Sequence, residues 1–222
     1  MSFNKNCLKL YAITDRKCIH NNNYTIEKAV EEAILGGATI IQLREKELKF
    51  KDFLQEALKI KQITKKYNIP LIINDNIDVA IQSDADGVHL GQEDLIDKNI
   101  NDIKKQFGKN KIIGISANTL QEAMLAEKNG ADYIGTTTPF TNSKISNHTK
   151  LDAEINSFEE IQNIVNNIKI PCVVIGGIKK QTIPLFKNKG VSGFAMISEI
   201  FNKKNIFEET KEILQIINKT IT

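Results

Sequence analysis

Leu8-Lys9-Leu10-Tyr11-Ala12-Ile13-Thr14-Asp15-Arg16-Lys17 reads as a short apolar strand running straight into a polar turn. That turn holds no glycine, whereas a doubly wound open sheet usually places a glycine-rich dinucleotide turn after its first strand. Outward from this first run (residues 8–14), seven more of the same kind follow: residues 39–43, 71–74, 87–90, 112–116, 133–136, 172–175 and 193–197. They are rich in β-branched residues, nearly unbroken in hydrophobicity and too short for helices. Such runs suit parallel strands covered on both faces.

Helical patterns lie between them. Phe50, Phe53, Leu54, Ala57 and Leu58 fall on one helical stripe, and Ile206, Thr210, Ile213, Leu214 and Ile217 repeat the spacing near the end. Thr119 with Glu122, and Ser157 with Glu160, read as capping boxes. Gly36, Gly130 and Gly190 are expected to stop helices in left-handed caps. Gly37-Ala38-Thr39, Gly130-Ala131-Asp132 and Gly190-Val191-Ser192 recur between helix and strand, at spacings near three and two units of roughly 30 residues, the size of a βαβ step. Parallel crossovers share one hand, so eight such units can close into a barrel. The sequence therefore predicts an α/β chain forming a single-domain (β/α)8 TIM barrel over residues 1–222. Its core would span about 7–220, with a variable polar loop at about 136–150.

Composition narrows the class. The chain has 222 residues, 30 Lys and Arg against 27 Asp and Glu, and a net charge of +3. The lysines are scattered, without the basic run expected of a nucleic-acid binder. No apolar stretch approaches the roughly 18 residues of a membrane span, and Met1-Ser2-Phe3-Asn4-Lys5 lacks a signal-peptide core. Cys7, Cys18 and Cys172 form no CxxC pair, which disfavours a disulfide or zinc framework. The expectation is a reduced cytoplasmic protein without membrane or nucleic-acid partners; a homo-oligomer is compatible with the sequence but not specified by it.

In a barrel, function gathers at the C-terminal strand ends. Strand two runs through Gln42, Arg44, Glu45 and Lys46; strand three ends in Asn74-Asp75; strand four leads into Gly91-Gln92-Glu93-Asp94. Strand five ends at Ser116, strand six opens a polar segment containing Lys144, Thr149 and Lys150, strand seven ends at Gly176-Gly177, and strand eight at Ile197-Ser198. Two carboxylates, Asp75 and Asp94, beside Arg44 and Lys46 suit Mg²⁺ and a polyphosphate, because Mg²⁺ is usually held by one or two carboxylates plus water and phosphate. The Gly-Gly turn and the backbone after strand eight suit a second phosphate. Each element alone has a plainer reading: Asp75 or Asp94 as a turn cap, Gly176-Gly177 as a tight turn, His89 as a packed core histidine. His20 and His148 read as loop residues, Cys172 as a small hydrophobe and Asp15 as structural. Convergence of six strand ends on one ligand chemistry outweighs those readings.

Taken in order, Gln42-Leu43-Arg44-Glu45-Lys46, Ile73-Asn74-Asp75-Asn76, Asp86-Gly87-Val88-His89-Leu90-Gly91-Gln92-Glu93-Asp94, Gly114-Ile115-Ser116, Ala131-Asp132-Tyr133-Ile134-Gly135 and Ile175-Gly176-Gly177-Ile178 closely resemble the thiamine phosphate synthase family. The resemblance spans about residues 10–200. It implies a transferase that couples 4-amino-2-methyl-5-(diphosphooxymethyl)pyrimidine to a phosphorylated hydroxyethylthiazole, carboxylated in many bacteria, with release of pyrophosphate. By resemblance, Asp75 and Asp94 bind Mg²⁺; Gln42, Arg44, Glu45, Lys46 and Asn74 lie on the segment holding the pyrimidine diphosphate; Ser116 contacts the pyrimidine half; and Gly177, Ile197 and Ser198 take the thiazole phosphate. Arg44, Lys46, Ser116 and Lys150 are expected to carry the chemistry.

The strand-six loop departs from the family pattern. Thr149-Lys150-Leu151-Asp152-Ala153 aligns best with the family's Thr-Lys-x-Asp-Ala, and Ser143-Lys144 is nearly as good a match, so both lysines stay in play. Two other functions compete. A thiazole tautomerase would call for a base after strand five, where this chain has Asn118, and has no need of Arg44, Lys46, Asp75 and Asp94. A non-catalytic phosphate-ligand sensor would show a damaged carboxylate pair, and both carboxylates are present.

Overall fold

Eight strands, β1 (Leu10–Ile13), β2 (Ile40–Leu43), β3 (Leu71–Asn74), β4 (Gly87–Leu90), β5 (Ile112–Ser116), β6 (Tyr133–Thr137), β7 (Cys172–Ile175) and β8 (Gly193–Met196), pair in parallel with their chain neighbours. Strand β8 pairs back onto β1, with Tyr11 opposite Ala195, and closes the barrel. The structure, a computed structural model, describes residues 4–20, 24–95, 99–141 and 156–221. The chain folds as the expected (β/α)8 barrel.

The near-continuous apolar strands hide an alternation that only the closed barrel reveals. Successive side chains point to opposite faces of a strand. Leu10, Ala12, Ile41, Leu43, Val88 and Ile134 join the large cluster between barrel and helices. Tyr11, Ile13, Ile40, Ile72, Ile112, Tyr133, Val173 and Ala195 form a separate cluster that fills the barrel interior. Two residues further along the inward line come Gln42 after Ile40, Asn74 after Ile72, and Ser116 after Gly114, itself two beyond Ile112. The inner apolar layer is thus the floor on which a polar layer stands.

Leu8 departs from the expected first strand. It ends a 3₁₀ turn (Lys5–Leu8) and is fully buried in the interior cluster, plugging the N-terminal mouth. Strand pairing starts at Leu10, whose N–H donates to Thr39 Oγ1 at 2.9 Å.

Nine helices appear among the described residues: α1 (Arg16–His20), α2 (Ile26–Gly36), α3 (Phe50–Lys66), α4 (Ile77–Gln82), α5 (Ile100–Phe107), α6 (Leu120–Lys128), α7 (Phe158–Asn167), α8 (Ser198–Phe201) and α9 (Ile206–Thr220). Both capping boxes form, at Thr119 with Glu122 and at Ser157 with Glu160. The stripe expected on α9 is the buried one. On α3 the stripe is shifted: Phe53, Ala57, Ile60 and Thr64 are buried, while Phe50, the first helical residue, and Leu58, on the flank, are exposed. The α2 cap also shifts by one residue. Gly37 takes the left-handed conformation (φ 109°), whereas Gly36 is helical because α2 crosses α9 so closely that a Cβ there would lie 2.5 Å from the Phe207 carbonyl. Gly190 has positive φ but ends no α-helix, since a 3₁₀ turn (Ile183–Phe186) replaces one between β7 and β8.

Two acidic residues of the family-like motifs serve the bottom of the barrel. Asp86 Oδ2 accepts from the Leu71 N–H at 2.8 Å, and Asp132 Oδ2 accepts from the Ile113 N–H at 2.8 Å, each also paired with a lysine. They satisfy N–H groups at strand starts, and at that end of a barrel such residues serve stability.

Candidate active site

The C-terminal mouth opens into a cavity of about 480 Å³. Its lining includes Gln42, Arg44, Lys46, Asn74, Asp75, Ser116 and Ile197, seven of the residues singled out in the sequence. Strand alternation explains the set: Gln42, Arg44 and Lys46 share the inward parity, and Leu43 and Glu45 the outward one.

Glu45 accordingly does not line this cavity. Its carboxylate is almost fully buried and accepts from Arg16 Nε at 3.1 Å and Nη2 at 3.0 Å, a two-point fork. Arg16 also pairs with Glu56. Burial, reinforced by the Glu45 charge, pushes the Glu56 carboxyl up to about 7 against the pull of Arg16. Neither Arg16 nor Glu56 stood out in the sequence, because a surface-type charge on a helix carries no mark of its tertiary partner.

Arg44 is half-buried. Its N–H donates to Thr14 Oγ1 at 3.0 Å, and its Nη1 lies 3.9 Å from Asp15 Oδ2. Burial lowers its pKa, opposed by the charges of Asp15, Asp75 and Glu45. Asp15 also accepts the Cys18 N–H at 2.9 Å, capping α1, so the structural reading of Asp15 holds and extends to orienting Arg44.

The turn after β3 is tight. Asp75 has φ 63°, a left-handed conformation that Asp and Asn tolerate best among side-chain-bearing residues, and its N–H donates to the His89 carbonyl at 2.8 Å. The carboxylate therefore stands on the rim beside β4. Asp94 lies in the next turn, a 3₁₀ segment (Glu93–Leu95), where its Oδ2 accepts the Gly91 N–H at 2.8 Å. That is the turn-capping role of the plainer reading, but a carboxylate has about four acceptor directions, so it is compatible with a metal bond.

At the opposite side of the mouth, Gly176 (φ 103°) and Gly177 (φ 62°) turn the chain after β7. A Cβ on Gly177 would lie 2.0 Å from the Phe140 carbonyl oxygen, so only glycine lets the β6 and β7 ends approach. Thr138 donates its hydroxyl to the Gly176 carbonyl. The Thr141 hydroxyl, buried in the same corner, is the one buried side-chain polar atom without a partner among the described residues. Ile197 and Ser198 follow at the end of β8, where Ser198 starts α8. Lys144, His148, Thr149 and Lys150 lie outside the described residues.

The cavity floor holds residues that the sequence reading did not assign to the site. The Gln42 amide Nε2 donates to Tyr11 Oη at 2.8 Å, and Tyr11 Oη lies 2.7 Å from Tyr133 Oη. Tyr133 Oη is 3.0 Å from His89 Nδ1, and His89 Nε2 is 3.1 Å from Ser116 Oγ. Burial holds the His89 imidazole down to about 4, and raises the hydroxyls of Tyr11 and Tyr133 above the usual phenol range. His89 is thus the hydrogen-bonded histidine expected, yet it also faces the cavity.

A family model described as thiamine monophosphate synthase matches residues 10–200. The chain belongs to the thiamine monophosphate synthase family. A thiamine-phosphate synthase of Clostridium botulinum is 44% identical over 219 residues, covering 99% of this chain and 98% of that relative. One from Clostridium beijerinckii is 45% identical, covering 92% and 93%. The solved thiamine phosphate pyrophosphorylase from Pyrococcus furiosus superposes with a TM-score of 0.85 at 36% identity, covering 98% of this chain and 99% of that one.

Within this thiamine monophosphate synthase family member, the motifs divide by height in the barrel. Asp86 and Asp132 hold the bottom, Gly114 and Tyr133 the middle, and Gln42, Arg44, Asn74, Asp75 and Ser116 the mouth. Asn118, at the place of a tautomerase base, lines the cavity and accepts from the Thr137 N–H at 3.0 Å and its hydroxyl at 3.1 Å. An amide pinned in this way pins Thr137 but cannot shuttle protons.

Proposed function

We propose that this protein is a thiamine phosphate synthase, a transferase coupling 4-amino-2-methyl-5-(diphosphooxymethyl)pyrimidine to a phosphorylated (carboxy)hydroxyethylthiazole. The observation that carries this reading is the meeting of the β2, β3 and β5 motif residues in one cavity of substrate size. In the reaction, the C–O bond to the diphosphate breaks and its electron pair leaves on pyrophosphate. The thiazole nitrogen then donates its lone pair to the carbocation-like methylene, forming the new C–N bond. Such a dissociative step asks for charge stabilisation more than for acid–base groups. Arg44 and Lys46 answer that need at the leaving diphosphate, with Asn74 and Gln42 positioning it, and Lys150 of the β6 loop is the further cation assigned there, with Thr149 beside it. Ser116 holds the pyrimidine half. Gly177, Ile197 and Ser198 form the thiazole-phosphate corner, a reading supported by the buried Thr141 hydroxyl facing that turn.

The donor set also fits Mg²⁺. The described residues contain no group of three or more His, Cys, Asp or Glu suited to a metal, so they offer no ready-made cage. Asp75 and Asp94 stand on turns after adjacent strands, which matches an ion held by one or two carboxylates together with water and substrate phosphates. When bound, Mg²⁺ would supply Lewis-acid stabilisation of the departing negative charge. We place the enzyme in the cytoplasm, where its cysteines, none of them in a disulfide, stay reduced. No helix among the described residues is long and apolar enough to cross a membrane.

The test is a coupling assay with both half-molecules and Mg²⁺, read out as thiamine phosphate. Turnover is expected; binding of both halves without product would favour the sensor, and isomerisation of the thiazole alone the tautomerase. Asp75→Ala and Asp94→Ala should each abolish coupling while circular dichroism stays native. Full activity in either variant would remove the metal assignment.

A further inference from the structure

Five side chains from five strands form one unbroken hydrogen-bonded line across the barrel interior: Gln42 (β2), Tyr11 (β1), Tyr133 (β6), His89 (β4) and Ser116 (β5). Its two ends line the proposed pyrimidine site. Its middle lies in the apolar floor, where Tyr11 and Tyr133 are essentially fully buried.

We infer that this line runs in one direction, Gln42→Tyr11→Tyr133→His89→Ser116, and that it fixes the Ser116 hydroxyl as a hydrogen donor to the pyrimidine substrate. The argument follows the protons. The Gln42 Nε2 has only hydrogens to offer, so Tyr11 Oη accepts from it. The Tyr11 hydrogen is then directed to Tyr133 Oη, 2.7 Å away, and the Tyr133 hydrogen to His89 Nδ1. A neutral imidazole carries one N–H, so an accepting Nδ1 leaves the hydrogen on Nε2, which donates to Ser116 Oγ. With one lone pair of Ser116 filled from behind, its own hydrogen points to whatever occupies the cavity. The group that this hydrogen reaches is therefore an acceptor, such as a pyrimidine ring nitrogen or a diphosphate oxygen.

Tyr11, Tyr133 and His89 are on this account positioning residues, acting on substrate through Ser116. The packing protects the arrangement. A Cβ on Gly114 would lie 2.1 Å from Tyr133 Cζ, and one on Gly135 would lie 3.3 Å from His89 Cε1, so two inward glycines make room for the two rings. Running the line the other way would require the Gln42 amide to turn over and accept from Tyr11, with His89 protonated on Nδ1 and the Ser116 hydrogen spent on Nε2. Ser116 would then only accept.

The substrate assignment rests on the proposed function, but the direction of the line does not, and it is read without turnover. The chain has three histidines, so long-range ¹H–¹⁵N NMR of the ¹⁵N-histidine-labelled protein gives few signals, and His89 is assigned by its loss in His89→Gln. A neutral Nε2–H tautomer at His89 from pH 6 to 8 is expected; an Nδ1–H tautomer or an imidazolium would overturn the inference. For the substrate link, Tyr133→Phe should lower kcat/KM for the pyrimidine diphosphate roughly tenfold, the scale of one lost buried hydrogen bond. Ser116→Ala should then cost much less in the Tyr133→Phe background than in the native chain. Additive losses would show that Tyr133 does not act through Ser116. If the native protein fails to couple, the tautomer still decides the direction, and the failure falls on the proposed function.

Discussion

Gly114→Ala is the most demanding test of the barrel floor. Residue 114 points inward, and its added methyl would lie 2.1 Å from Tyr133 Cζ, 2.3 Å from Oη and 2.4 Å from Cε1. Ordinary carbon contacts need about 3.5–4.0 Å, so the ring must retreat by more than roughly 1 Å. It has nowhere to go. Tyr133 is fully buried, packed edge-on against Tyr11 with ring centroids 6.0 Å apart, and its hydroxyl is held between Tyr11 and His89. Overpacking a tight core costs about 1–3 kcal/mol, and loosening two buried hydrogen bonds adds about 1 kcal/mol each. The expected total, about 3–5 kcal/mol, corresponds to a fall in Tm of roughly 6–20 °C for a chain of this size. Thermal unfolding followed by circular dichroism measures it, with the His89 NMR signal recorded in parallel. Pairing Gly114→Ala with Tyr133→Leu should recover part of the loss, since the shorter side chain vacates the ring's space. A Tm within 2 °C of the native protein, with the His89 signal unmoved, would refute the picture of a ring pinned against residue 114.

Three further outcomes are expected. His89 is neutral in the fold, with its pKa lowered from 6.5 to about 4, so the folded state binds fewer protons than the unfolded chain between these values. Stability should therefore decline as pH falls from about 6.5 to 4, by at most about 3 kcal/mol, and His89→Gln should flatten that limb in urea titrations. Arg16→Met strips Glu45 and Glu56 of their shared cation; a partly buried pair lies between the surface and buried limits, so a loss of about 2 kcal/mol is expected from chemical denaturation. An unchanged midpoint would mean that the cluster is solvated. In steady-state coupling assays Lys150→Ala should lose more activity than Lys144→Ala, and the reverse order would move the phosphate-binding lysine to position 144.

The architecture was legible in the chain because its cause is local. Eight short apolar runs with polar segments between them can be buried only as strands covered on both faces, and the missing glycine after β1 removed the open-sheet alternative. The polar lining of the mouth was legible for a related reason: at strand ends the polar groups interrupt apolar runs, so Arg44, Asn74, Asp75 and Ser116 stand out. The phase of the α3 stripe and the cap at Gly37 were misplaced by small amounts, because helix crossing with neighbours, and not periodicity alone, selects the buried face.

What the sequence by itself determined is the barrel, the family and the polar residues at the strand ends, since all three follow from residue type and order along the chain. Only the closed barrel decided which residues meet across it. Glu45 turned away from the cavity toward Arg16, and Tyr11 and Tyr133, 122 positions apart in the chain, became neighbours joined through their hydroxyls. The physical reason is that closing β8 onto β1 brings distant strands to a common axis, and the partner of a buried polar atom is set by that three-dimensional closure.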